Sequence, residues 1–272
     1  MSEFNAYTIS KSDPGSLKHH DHDCHELVLI EKGASVFTIE NRVYTATAHS
    51  LVVIGNLERH HIQIDQTPYC RQVMLIPNSF LLEEFHHPML ASFFLYRPKG
   101  FSHVLRLDQA LFELLFQHFC GIIKEFEANE PLKEHRLGIL LEMLLVDLYR
   151  AKPECFIWQN VQDMTTIFHV QRYMAQHFAE GLTLTEMAER FHVSRYHLSR
   201  RFQDITGYGF QQYLTICRLN EAKRLLLMTN IPITLVAENS GWGNVNHFIR
   251  TFRLREGITP LQFRKNNADG AN

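Results

Sequence analysis

Two rhythms of apolar and polar residues divide the chain. From about residue 25 to 76, short apolar runs alternate with polar breaks: 26–30, 35–39, 42–46 and 50–54, continued by 62–64 and 72–76. Short runs rich in Val, Ile, Tyr and Thr predict β-strands. Lys32-Gly33 and Glu40-Asn41 read as turns, the second as a two-residue hairpin. Many short strands at even spacing predict a small barrel or sandwich. Residues 1–18 are polar and predict a partly mobile segment. After Pro77 the period lengthens. Over 108–126 the apolar positions are Leu111, Leu114, Leu115, Phe119 and Ile122; over 132–150 they are Leu137, Leu140, Leu141, Leu144, Leu145 and Leu148. Spacings of three and four predict amphipathic helices. The leucines either form intramolecular core or leave a second apolar face that pairs two subunits. Lys152-Pro153 marks a break, and 151–162 reads as a linker.

The last hundred residues carry one pattern twice. Leu184-Thr185-Glu186-Met187-Ala188-Glu189 leads to Ser194, Leu198, Phe202 and Gly207. Ile233-Thr234-Leu235-Val236-Ala237-Glu238 leads to Asn244, Phe248, Phe252 and Gly257, the second set lying 50 positions after the first. Such a repeat means one small unit used twice. Thr183-x-x-Glu186 is a capping box. Ser194 and Asn244 are good N-caps, and Gly207 and Gly257 suit left-handed C-caps. Pro232 fits a first turn. Each unit reads as helix–turn–helix, with the second helix entering the major groove. Anchoring Leu198, Phe202, Phe248 and Phe252 inward leaves Arg195, Tyr196, Ser199, Arg200, Val245, Asn246 and Arg250 facing outward. Arg can fork onto guanine, Asn can pair with adenine, and Val can touch a thymine methyl. Between the copies, 213–228 reads as one long helix that holds the two readers at a fixed separation.

The charge balance agrees with this division. The chain is nearly neutral at −2, but residues 1–162 carry 14 basic and 20 acidic side chains, whereas 163–266 carry 13 and 8. Eleven of those 13 cations are Arg, which suits bidentate phosphate and guanine contacts. The five cysteines are scattered and form no C-x-x-C, which predicts a reducing compartment and neither a disulfide framework nor a zinc finger. No basic segment followed by an apolar stretch opens the chain, and no apolar run is long enough to span a bilayer, so neither a secretory signal nor a membrane span is expected.

Residues 165–265 resemble the DNA-binding domain of the AraC/XylS regulators. The residues that carry the resemblance are the two six-residue openings above, Ser194-x3-Leu198-Ser199-Arg200-x-Phe202, Arg218-Leu219-x2-Ala222-x2-Leu225-Leu226, Gly241-Trp242, His247-Phe248-x-Arg250-x-Phe252 and Gly257-Ile258-Thr259-Pro260-x2-Phe263-Arg264. Trp242 stands where Phe is usual, and Asn246-His247 where Ser-Tyr is common. In the N-terminal half, His20-x-His22-x3-Glu26-x6-Gly33 is similar to the first cupin motif, and His60 sits where the second motif supplies a His. That second motif is degraded: His49 occupies the place of its Gly and Gly55 that of its Pro. A cupin set of His20, His22, Glu26 and His60 would suit a divalent metal; the alternative is that His22, Glu26 and His60 line a small-molecule pocket with Phe37, Tyr44 and Arg71.

The resemblance implies an α+β multidomain chain. A cupin-like effector-binding barrel occupies 1–100, a helical dimerisation segment 101–150, a linker 151–162, an all-α domain with two helix–turn–helix units 163–266, and a disordered tail 267–272. It implies a cytoplasmic, sequence-specific transcription regulator and not an enzyme: an effector-responsive activator of a metabolic operon, with carbohydrate use the first expectation. Its partners would be promoter DNA, a small-molecule effector such as a sugar, RNA polymerase and a second copy of the chain, with no membrane and no cofactor. The competing reading is a metal-dependent cupin enzyme or metal sensor fused to a DNA-binding domain.

Overall fold

The computed structural model describes residues 4–268 apart from 14, 21–23, 57, 59, 86, 96–100, 129 and 157–160; the side chains of 16–20, 83, 161, 267 and 268 are also not described. Two compact units divide the chain, Ser2–Thr165 and Thr166–Asn272. The first is built on a sheet with strands β1 (Asn5–Lys11), β2 (Gly15–His20), β3 (Cys24–Ile39), β4 (Arg42–Thr47), β5 (Ser50–Ile54), β6 (His60–Pro77) and β7 (Val104–Arg106). The order is β1-β6-β3-β5-β7, with β2 added to β6 and β4 to β3. β1 and β2 lie where the sequence suggested a mobile segment. Both pair along β6, so backbone pairing, which a hydropathy pattern does not report, orders them.

Two long bent strands replace two expected pairs of short ones. The apolar runs 26–30 and 35–39 are both parts of β3, and 62–64 and 72–76 are both parts of β6. Lys32-Gly33 is therefore a bend within a strand, not a turn between strands. The β3–β6 register slips between Ile30 and Ser35, and Gly33 takes φ +78° there. Extra residues of this kind bend a strand and increase its twist. The bend curls the sheet on itself. Glu26 and Ile39, the residue paired with His60, would stand roughly 40 Å apart on a straight strand. Yet the Glu26 carboxylate lies 3.2 Å from the His60 imidazole. Glu40-Asn41 is the hairpin the sequence indicated, with positive φ at both residues as a type I′ turn requires. His49, standing at the usual Gly position, has φ +61° and stacks on Phe112 at 4.1 Å.

Alternate residues of the sheet then have different fates. Val28, Ile30, Phe37, Ile39, Val52, Ile54, Ile62, Ile64 and Val73 pack together inside the curl. Leu27, Leu29, Leu51, Val53, Met74 and Ile76 are buried on the opposite face. Helices cover that outer face: α1 (Asn78–Glu84), α2 (Pro88–Leu95), α3 (Gln109–Ala128) and α4 (Lys133–Ala151). The Gln72 amide donates to Cys120 of α3 at 3.3 Å, and His25 packs on Phe94 of α2. Burial on both faces explains why 27–30 is a continuous apolar run. On α4, Leu137, Leu141, Leu144, Leu145 and Leu148 are buried, while Ile139 and Met143 are exposed one turn apart.

The second unit is helical. It comprises most of α5 (Val161–His177), then α6 (Leu184–Arg190), α7 (Arg195–Thr206), α8 (Phe210–Met228), α9 (Ile233–Asn239), α10 (Val245–Glu256) and α11 (Pro260–Ala268). The segment 151–162 holds a short 3-10 turn at Pro153–Cys155 and the start of α5. None of the five cysteines forms a disulfide. Among the described residues no helix is long and apolar enough to cross a membrane.

Gly33→Ala tests the bend. A Cβ there would lie 2.3 Å from the Gln66 carbonyl oxygen and 2.8 Å from that of Pro68, on a backbone that side chains rarely adopt. We expect the barrel to lose about 3 kcal/mol in urea unfolding; an unchanged midpoint would show that the bend has another origin.

Candidate nucleic-acid interface and barrel interior

The two helix–turn–helix units are built from the same local devices. In the first, the Thr183 hydroxyl accepts the Glu186 N–H at 3.2 Å and the Glu186 carboxylate accepts the Thr183 N–H at 2.9 Å. Hydrogen bonds donated to it by the Thr183 hydroxyl, at 2.8 Å, and then by the Thr183 N–H hold the Glu186 carboxyl below its ordinary pKa. His192, with φ +54°, makes the turn. The Ser194 hydroxyl accepts the His197 N–H at 3.2 Å and opens α7, and Gly207 closes it at φ +77°. In the second unit Pro232 stands just outside α9 as its N-cap, one step before the first turn where the sequence reading put it. Gly241 makes the turn at φ +82°. Asn244 accepts the His247 N–H at 3.0 Å to open α10, and Gly257 closes it at φ +77°. The Val193 N–H bonds to Ala188 as the Trp242 N–H bonds to Ala237, a 49-residue offset. The caps of α7 and α10 are 50 apart, so the second turn is one residue longer.

One face of each second helix is core and the other is free. Leu198, Phe202 and Ile205 of α7, and Phe248 and Phe252 of α10, are buried. Arg195, Tyr196, Ser199 and Arg200 are exposed, Tyr196 to 77%. Arg200 is 3.8 Å from Asp204, and exposed pairs of this kind hold a side chain weakly. Asn246 and Arg250 are exposed on α10. Val245 departs from the expected outward stripe: it is half-buried against the core of Trp242, Phe248 and Phe252. His247, which the outward set left out, is exposed beside the Trp242 ring.

α8 joins the units. Its Phe210 and Tyr213 pack on Phe202 of α7 at 5.8 and 5.3 Å. Its Leu219, Ala222, Leu225 and Leu226 pack with Val236, Ala237, Phe248 and Phe252 of the second unit. Lys223 pairs with Glu256 of α10 at 3.0 Å, half-buried. A clasp adds to this. Arg218 of α8 donates to the backbone carbonyls of Phe178 at 2.8 Å and Glu180 at 2.9 Å, just beyond α5. The Gly241 turn lies on the same spot, where a Cβ would be 2.7 Å from the Ala179 Cα. Neither residue stood out in the sequence as a clasp. The Arg218-to-Gly241 contact is long-range, and only the helical register reveals it.

The barrel interior is polar in part. Of the residues set there from sequence, Glu26 and His60 meet at 3.2 Å, both buried. His60 also bonds to the Glu58 carbonyl at 3.0 Å. Phe37 is fully buried core, and Tyr44 lies edge-on to His103 at 5.2 Å. His22 lies outside the described residues, as does the side chain of His20. Among the described residues no three His, Cys, Asp or Glu gather as a metal site. Sequence reasoning missed Tyr7, Ser35, Ser50 and Tyr69; strand alternation sets Ser50 with Val52 and Ile54 and Tyr69 with Val73, but polar groups inside a barrel carry no apolar signal. Tyr69 bonds to the Ser35 hydroxyl at 3.0 Å. Arg71 is buried among them; its Nε and Nη1 have no hydrogen-bond partner. Burial pushes up the Tyr7 and Tyr69 phenols, with Glu26 raising and Arg71 lowering both, so these groups share one interior.

Residues 5–145 match the family model of the AraC-like ligand binding domain, and residues 187–266 match a helix-turn-helix domain model. The HTH-type transcriptional activator RhaS of Escherichia fergusonii is 26% identical over 254 residues, 92% of this chain and 88% of the relative. The uncharacterized HTH-type transcriptional regulator YisR of Bacillus subtilis is 31% identical over 56% of this chain and 52% of its own. Fatty-acid-bound wild-type ToxT of Vibrio cholerae has a similar fold, with TM-score 0.54 and 17% identity, covering 96% of this chain and 94% of that one.

The clasp is testable at Gly241. Gly241→Ala should destabilise the helical unit by about 1–3 kcal/mol through positive φ and crowding against Ala179. Chemical denaturation followed by helical circular dichroism checks this; a variant as stable as the parent would remove the clasp from the account.

Proposed function

Because the chain belongs to the AraC family of DNA-binding transcription regulators, we infer that it is an effector-responsive activator of a metabolic operon, with carbohydrate use the first expectation. The observation that carries this reading is the pair of like-built helices, α7 and α10, each anchored by buried aromatic or leucine side chains and each leaving Arg exposed. Arg195, Tyr196, Ser199 and Arg200 would meet one major-groove segment. Asn246, Arg250 and the exposed edge of Val245 would meet the next. α8, at 19 residues, is about 28 Å long. That length is of the order of the 34 Å turn that separates successive major-groove faces.

Activation is favoured by the RhaS relatives, named as transcriptional activators, which match nine-tenths of the chain. It would act in the cytoplasm through contact with RNA polymerase. Exposed Ile139 and Met143 on α4 offer an apolar face on which two copies would pair. The curled sheet would take a small effector, with Glu26, His60, Phe37 and Tyr44 on its inner side and His22 as a further candidate. A ligand of this kind regulates only by preferring one arrangement of the protein over another.

Gel shifts test the reading. Arg200→Ala and Arg250→Ala should each cost about 1–3 kcal/mol at the specific promoter and relax base preference at one position. Equal weakening on random DNA would assign them to phosphate, and no weakening would remove these helices from the interface.

A further inference from the structure

The least explained group in the molecule is the Arg71 guanidinium. The side chain is 3% exposed. It extends from β6 on the same face as Tyr69 and Val73, into the curl of the sheet. An arginine does not give up its proton in a protein, and a buried cation is retained only where something pairs with it. Here two of the three guanidinium nitrogens are unanswered. Nε and Nη1 have no hydrogen-bond partner, and among the described residues no carboxylate lies within ion-pair distance. The acid that shares the interior, Glu26, is engaged with His60. The Tyr69 ring lies 5.9 Å from the guanidinium carbon, a cation–π distance that steadies the charge, and the Tyr69 phenol takes one hydrogen bond from Arg71, which leaves Nε and Nη1 unanswered. Ser50 faces inward on the same row of the sheet, two strands away through Ile30, and its buried hydroxyl also has no partner.

From this we propose that the effector is a small hydroxylated carboxylic acid, of the aldonic or uronic acid class, whose carboxylate docks on Arg71. The proposal rests on the effector reading of the barrel and narrows it. A buried cation with two N–H groups lacking acceptors matches a carboxylate, which accepts charge-assisted hydrogen bonds and supplies the missing counter-charge. A single cation with Glu26 in the same interior suits a monoanion and disfavours a phosphate dianion. Tyr7, Tyr69, Ser50 and the Glu26–His60 pair supply donors and acceptors for hydroxyl groups, between walls of Val28, Ile30, Val52 and Val73. A neutral sugar would offer the guanidinium acceptors but no counter-charge.

The test uses the full chain and its thermal melt at fixed ionic strength. Sodium gluconate, glucuronate and galacturonate are each titrated against neutral glucose or galactose, with decanoate as an unhydroxylated acid. At least one sugar acid should raise the melting temperature saturably while its neutral partner does not. Arg71→Met should melt at or above the parent when no acid is present, because an unpaired charge is replaced by apolar volume, and should lose the acid response. Arg71→Lys, which keeps the charge but not the fork, should weaken the acid at least tenfold. A saturable response to a neutral sugar that survives in Arg71→Met would overturn the acid class and leave the effector reading standing. A response to decanoate alone would overturn the hydroxylated class. No response to any acid, with Arg71→Met melting well below the parent, would make Arg71 a scaffold residue; promoter binding by the same variant in gel shifts then reports separately on the DNA-reading half.

Discussion

The turn of the second helix–turn–helix is held against the segment that leads from α5 into the first by a contact of backbone against backbone. Gly241 brings its turn so close to Ala179 that no side chain fits between them. Arg218 fixes the same place from the other side, with its guanidinium on the carbonyls of Phe178 and Glu180. Hydrogen bonds from a charged donor contribute about 1.5–3 kcal/mol each. α8 carries this clasp between two aromatic cores, one around Phe202 and one around Phe248 and Phe252. With its middle clasped and both ends packed, α8 lets neither α7 nor α10 turn independently. Such a constraint on both helices is what the proposed reading of a longer site by two short helices requires.

The barrel depends on a comparable constraint. The bend at Gly33 turns one long strand back on itself, and it is this return that brings Glu26 to His60; Arg71 and Tyr69 are neighbours by alternation along β6. A straight β3 would distribute the same residues along a flat sheet. The interior therefore gathers a carboxylate, an imidazole, two phenols and a guanidinium because of a backbone feature, while the aliphatic walls come from ordinary strand alternation.

Much of this was legible in the residues. The repeat, the capping box at Thr183 and Glu186, the N-caps at Ser194 and Asn244 and the C-cap glycines are local chemistry, and local chemistry is written in short motifs. The Glu40-Asn41 hairpin and the buried stripes of α3 and α4 were legible for the same reason. What escaped was non-local. β1 and β2 are ordered by pairing with β6, not by their own apolar content. Lys32-Gly33 resembles a turn because a bend and a turn share a glycine with positive φ. Val245 belongs to an outward stripe by position but packs against its core because it is apolar. Arg71 was among the expected pocket residues, but Tyr7, opposite Val73, and Tyr69, two residues before Arg71, reach the same interior by strand alternation without an apolar signal to mark them.

The central claim is that one chain sets two recognition helices into consecutive major grooves on one side of a duplex. Guanine-methylation interference on the natural promoter tests it most directly, since N7 methyl groups project into the major groove. The account predicts two clusters of interfering guanines about one helical turn, roughly 10 base pairs, apart for each bound chain. A single cluster per chain, or two on opposite faces of the DNA, would contradict it.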